Sequence, residues 1–257
     1  MSPRRRIVLL AAAVLAAAVL LVAGLRLVHS DQPGDQRPDQ ARPGTVLLVP
    51  GYGGSQVALS RLAARLTAAG RTTRVVALPD GGTGDLLVQA DTLQAAVNDA
   101  LRAGSASVDV VGYSAGGVVT RLWVDRSGGS AARRVVTLGS PLHGARLAGV
   151  GTAVAPDACP AACRQLAPGS ALLDRIDRTP LPVGLPWLSV WTQNDQTVQP
   201  PDSARLDGAV NVPLQSICPQ AVVSHSDLPT DPAVTALVLQ ALGTTPLAAP
   251  TRCPVSS

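Results

Sequence analysis

Apolar and polar positions fall along this chain in two periods. Short, largely apolar runs, rich in β-branched side chains, alternate with longer stretches in which apolar residues recur every three to four positions. A short run bounded by turn residues reads as a strand buried on both faces, and the longer spacing reads as a helix with one buried face. Strands are therefore predicted over Thr45–Pro50, Arg74–Leu78, Val108–Gly112, Arg133–Leu138 and Leu188–Trp191, with a sixth over Ala209–Pro213. Between them, Leu59, Leu62, Ala63 and Leu66 mark one face of a helix capped by Ser55 and ended by Gly70. Leu86–Ala103 and Ala115–Arg126 are further helices, and Asp231-Pro232 opens a last one over Ala233–Leu242, closed by Gly243. Strands alternating with helices predict a mainly parallel sheet of about six strands covered by helices on both faces. Residues 140–186, rich in Gly, Pro and Ala, break the alternation and are expected over the top of the sheet.

One stretch fits neither period. Ile7 to Leu25 is 19 residues without a charge, preceded by Arg4-Arg5-Arg6. As a helix it spans roughly 28 Å, close to the hydrocarbon core of a bilayer. Residues 1–29 read as an N-terminal membrane anchor, arginines inside and the rest outside, or as a cleaved signal with candidate sites at Ala16-x-Ala18 and Val28-x-Ser30. No cysteine follows the run, which excludes a lipoprotein. Residues 30–44, built of Ser, Asp, Gln, Pro, Gly and Arg, read as a disordered linker. That leaves residues 45–257 as one domain, exported and expected to act as a monomer.

Charge and cysteine content sharpen this picture. The formal net charge is +4, yet four of the 21 arginines precede residue 31, leaving 17 against 17 aspartates in the remainder. The domain is neutral overall and has no basic cluster of the kind nucleic-acid binding needs. Four cysteines in an exported domain point to two disulfides. Cys159 and Cys163 are close enough for a local bridge, which leaves Cys218 with Cys253; two other pairings remain formally open. A metal site at Cys159 and Cys163 is disfavoured, because export favours oxidation and His143 is the only nearby imidazole.

The third strand ends in chemistry. Val108–Gly112 runs into Gly112-Tyr113-Ser114-Ala115-Gly116 and then into a helix, the sequence form of a nucleophile elbow. A serine hydroxyl needs a base to take its proton, and the base needs a group to orient it. Of three histidines, His29 lies in the N-terminal segment and His143 comes too early for the chain order serine, acid, histidine. His225, just before the last helix, fits as base, and His143 is read as a structural loop residue. Asp195, leaving the Leu188–Trp191 strand, is the candidate acid; Asp202 and Asp207 compete but look like turn residues. The oxyanion donors are read as the backbone amides of Ala115, after the nucleophile, and Tyr52, in the glycine-rich loop Pro50-Gly51-Tyr52-Gly53-Gly54. A phosphate-binding reading of that loop fails, because the chain contains no lysine.

Together with Leu138-Gly139-Ser140-Pro141-Leu142-His143-Gly144, these pieces extend over residues 45–243. In this order they resemble bacterial extracellular lipases and esterases of the α/β-hydrolase superfamily, near the small class 2-like lipases. The chain departs from those lipases at Pro50-Gly51, where they often carry His-Gly, and at Gly112-Tyr113-Ser114, where Gly-His-Ser is usual and the tyrosine form occurs in cutinase-like esterases. The resemblance implies an α/β-hydrolase fold and hydrolysis of lipid or other acyl esters by a Ser114–His225–Asp195 triad, without cofactor or metal. Thioester hydrolysis, acyl transfer or peptide cleavage would use the same triad. A tethered, non-catalytic binding domain on the same fold is the remaining alternative.

Overall fold

A computed structural model of the chain describes residue 14 and residues 37–54 and 56–254. Apart from Val14, the anchor or signal expected over residues 1–29 lies outside the described residues, as do residues 30–36 of the linker and the cap expected at Ser55. Among the described residues no helix is long and apolar enough to cross a membrane.

Six strands, β1 (Thr45–Val49), β2 (Thr73–Val75), β3 (Val108–Tyr113), β4 (Ala132–Leu138), β5 (Trp187–Trp191) and β6 (Val210–Pro213), form one sheet in the order β2-β1-β3-β4-β5-β6. Every neighbouring pair is parallel. The helices are α1 (Val57–Ala68), α2 (Leu86–Arg102), α3 (Ala115–Ser127), α4 (Arg146–Val154), α5 (Ala161–Gln165), α6 (Ala171–Asp177), α7 (Leu214–Ile217) and α8 (Pro232–Ala241). Side chains alternate across each strand and divide the core in two. Leu47, Val49 and Val110 pack with Leu86, Leu93 and Val97 of α2 and Val118 and Leu122 of α3. On the opposite face, Val46, Leu48 and Val111 pack with Leu59, Leu62 and Leu66 of α1 and Val234, Leu237 and Val238 of α8. Burying each of these side chains contributes roughly 1.5–3 kcal/mol, which explains why strands apolar on both faces sit between two helical layers.

Most elements fall within a residue or two of the expected bounds, with three differences. The second strand, expected over Arg74–Leu78, pairs only at Thr73–Val75. Its partner β1 ends at Val49, and the following Pro50 has no N–H to continue the ladder. The irregular stretch 140–186 contains the three short helices α4, α5 and α6. Residues 37–44, expected within the disordered linker, are instead packed on the domain. The Arg37 guanidinium donates to the carbonyls of Val183 (3.2 Å) and Gly129 (2.9 Å), and Gln40 Nε2 donates to the Arg133 carbonyl at 3.2 Å. Composition cannot show this, because the acceptors are carbonyls far along the chain.

The N-terminal end of the sheet carries a buried charge cluster. Asp109 of β3 is fully buried and accepts from Arg133 at 2.7 Å and from Arg71. The arginines serve a second purpose. Arg133 donates to the carbonyls of Leu242 (2.6 Å) and Gly243 (2.8 Å), Arg71 to that of Leu242 (2.6 Å), and Arg134 to that of Ala241 (2.7 Å). They satisfy the carbonyls that the end of α8 leaves without partners and place positive charge where the helix dipole favours it. Two disulfides join Cys159 to Cys163 and Cys218 to Cys253, the second across 35 residues. Removing the Asp109 carboxylate strands Arg133 in the interior without its counter-charge. Asp109→Ala is therefore expected to cost about 3–5 kcal/mol, read as a lower urea midpoint in equilibrium unfolding.

Candidate active site

The sheet order places the site. After β2 the chain crosses back over β1 to form β3, so the loops leaving β1 and β3 open beside each other at the carboxyl end of the sheet. β3 runs into Ser114, and α3 begins at the next residue. Ser114 has φ 53° and ψ −128°, a left-handed conformation that a side-chain-bearing residue adopts only when its surroundings enforce it. Those surroundings are backbone. A Cβ on Gly116 would stand 2.2 Å from the Val49 carbonyl oxygen, so α3 can start this close to β1 only with glycine there. The Ser114 amide donates to the Leu138 carbonyl at 2.8 Å, which ties the turn to β4.

The structure brings three of the expected side chains together. His225 Nε2 lies 3.0 Å from Ser114 Oγ, and His225 Nδ1 lies 2.6 Å from Asp195 Oδ2. Asp195 is 1% exposed and His225 8%. The second carboxylate oxygen of Asp195 accepts the amides of Thr197 (2.9 Å) and Val198 (2.7 Å), so the group is held in place before it meets the ring. A carboxylate in this position takes a proton-bearing Nδ1. That leaves Nε2 with a lone pair directed at the serine hydroxyl. The loops carrying Asp195 and His225 are joined as well, because Thr192 Oγ1 donates to the Val223 carbonyl at 2.8 Å.

The two expected oxyanion donors border the same cleft as Ser114. Tyr52 and Ala115 line it together with Pro141, Ala145, Leu147 and Val198, around a volume of about 180 Å³. The Ala115 amide belongs to the first turn of α3, whose N–H groups have no partner within the helix. Gly51, before Tyr52, approaches Ser114 so closely that a Cβ there would meet the serine Cβ at 2.9 Å. Among the described residues, no lining side chain carries a charge. α4 flanks the cleft and buries none of its residues. A larger cavity of about 790 Å³, between α8 and residues 245–254, contains none of these side chains.

His143 stands apart from this constellation. Its Nδ1 lies 3.0 Å from Asp177 and its Nε2 3.0 Å from the Arg205 carbonyl, so it joins α6 to the loop before β6. Among the described residues, neither Asp202 nor Asp207 hydrogen-bonds a histidine. Two residues essential to the geometry were not singled out from the sequence. Gly139, at φ +55°, lies beneath the histidine–carboxylate pair, and a Cβ there would reach His225 Nδ1 at 3.2 Å and Asp195 Oδ2 at 3.3 Å. Its place directly after a buried strand, in the segment running to Gly144, was the available signal. Tyr113 donates its hydroxyl to the His225 carbonyl at 3.2 Å. Burial, followed by the carboxylates of Asp195 and Asp227, pushes its phenol up to about 12, so it keeps the proton it donates.

With this geometry established, the structure was compared with known proteins. It is similar to Aspergillus fumigatus lipase B, with a TM-score of 0.67 and 20% identity over 78% of this chain and 52% of that one. The chain thus spans about half the length of that protein. It is also similar to mature Bacillus licheniformis lipase BlEst2, with a TM-score of 0.64 and 19% identity over 82% of this chain and 96% of that one. A lipase-esterase related protein from Clostridium acetobutylicum ATCC 824 matches at a TM-score of 0.50 and 11% identity, over 79% of this chain and 95% of that one. No protein-family model and no curated protein matches the sequence. The likenesses, together with the six-stranded parallel sheet, establish the α/β-hydrolase fold.

The contacts around Gly139 generate a test. Gly139→Ala places a Cβ 2.6 Å from Leu228 Cδ1 at a backbone angle unfavourable to alanine. The expected cost is about 1–3 kcal/mol, measured as a lower Tm.

Proposed function

On this α/β-hydrolase fold, we propose that the chain is a serine hydrolase of carboxylic acyl esters. Ser114 is the nucleophile, His225 the general base and Asp195 the group that orients it. Ser114 Oγ attacks the ester carbon while His225 Nε2 takes its proton, and Asp195 stabilises the imidazolium that forms. The backbone N–H groups of Tyr52 and Ala115 donate to the oxyanion. His225 then gives the proton to the leaving alcohol, and water repeats the sequence on the acyl-enzyme. The observation that carries this reading is the continuous relay from Ser114 Oγ through both ring nitrogens to Asp195, at 3.0 and 2.6 Å.

The uncharged lining of the cleft supports an apolar acyl group. The two disulfides fit an oxidising compartment outside the cytoplasm. Residues 1–29 are read as the segment that takes the chain there, as anchor or signal, ahead of the catalytic domain over residues 37–257.

Ser114→Ala is expected to abolish hydrolysis of p-nitrophenyl butyrate and labelling by a fluorophosphonate probe, with an unchanged circular dichroism spectrum. Turnover retained by that variant rejects the assignment. Asp195→Asn keeps the shape but loses the charge and the tautomer control. Its kcat on the same ester is expected to fall about 10⁴-fold.

A further inference from the structure

The residue before the proposed nucleophile meets the proposed base twice. The centroid of the Tyr113 ring lies 5.2 Å from that of the His225 imidazole, with the planes at 33°. Its hydroxyl donates to the His225 backbone carbonyl at 3.2 Å. His225 itself lies in neither strand nor helix but in the turns between α7 and α8. The imidazole is held at Nδ1 by Asp195 and at Nε2 by the Ser114 hydroxyl alone, and whenever the hydroxyl contact breaks the ring is free to tilt about the bond to Asp195. A tilt carries Nε2 away from Ser114 Oγ. The Tyr113 ring lies against the imidazole and limits that tilt, while the Tyr113 hydroxyl sets how far the loop stands above the sheet.

Tyr113 is also joined covalently to Ser114. It is the last residue of β3, in register with Leu138 of β4, so its own position is set by the sheet. The strand end that places the hydroxyl therefore also places the ring that holds the imidazole. From this contact we infer that Tyr113 is a positioning residue, which keeps His225 Nε2 aligned with Ser114 Oγ by bracing both the ring and the main chain of the histidine. The inference rests on the serine-hydrolase reading for its kinetic consequences but not for its structural one.

Tyr113→Phe keeps the ring and removes the donor; the His225 carbonyl retains the Leu228 amide at 3.3 Å, so no acceptor is orphaned. This variant is expected to lower kcat on p-nitrophenyl butyrate about tenfold, with KM within about twofold of wild type. Tyr113→Leu removes ring and donor and is expected to lower kcat about 100-fold. A readout independent of turnover is the downfield proton resonance of His225 Nδ1–H. It is expected to broaden in Tyr113→Phe, as a looser ring exchanges its proton faster with water. If Tyr113→Leu does not fold, Tyr113→Phe decides alone. An unchanged kcat and an unchanged resonance in Tyr113→Phe, even with a lower Tm, would make the tyrosine a packing residue only and overturn the inference. Wild-type protein inert to the fluorophosphonate probe would overturn the hydrolase reading instead, and the resonance would still decide whether Tyr113 holds the ring.

Discussion

The contact between β1, β3 and the start of α3 governs the position of Ser114 and of the backbone amides beside it. α3 begins one residue after Ser114, and its first turn presses on the carbonyls of Val49 and Pro50 so closely that only a glycine fits at position 116. With no room to relax, the serine is held at a positive φ. The same closeness draws the loop after β1 over the serine, through Gly51, and sets the Ala115 amide, at the first position of α3, beside it. The proposed nucleophile and amide donors are thus consequences of one packing arrangement between a strand and a helix.

The opposite end of the sheet contributes indirectly. Arg71, Arg133 and Arg134 hold the last carbonyls around the end of α8, and Asp109 balances charge there. The other end of α8 is set by Asp231, whose carboxylate accepts the Val234 amide at 3.0 Å. The turns carrying His225 lead directly into that end. α8 is thus held at its C-terminus by arginines and at its N-terminus by its aspartate cap, directly after the turns that carry His225.

Much of this was legible in the sequence, for identifiable reasons. Largely apolar runs reveal strands that are covered on both faces, so β1, β3, β4 and β5 could be located closely even though Asp109, Arg133, Arg134 and Ser189 interrupt them. Gly112-Tyr113-Ser114-Ala115-Gly116 stood out because a strand precedes it and a helix follows. Order along the chain then selected Asp195 and His225, and the fold brings His225 within hydrogen-bond reach of both Asp195 and Ser114. What could not be read depends on contacts across the fold. The brace from Tyr113 to His225 links residues 112 positions apart. Gly139 resembles any turn glycine until the pair above it is seen. Residues 37–44 have the composition of a linker but find their acceptors at Gly129, Arg133 and Val183.

The bridge between Cys218 and Cys253 closes a covalent ring around everything between those residues, and His225 lies inside it. A protease cutting once within that stretch would open the ring without releasing a fragment, because both new ends stay joined through sulfur. The imidazole would remain attached to the body that carries the serine, and α8 could return to its place without a second molecule having to be found.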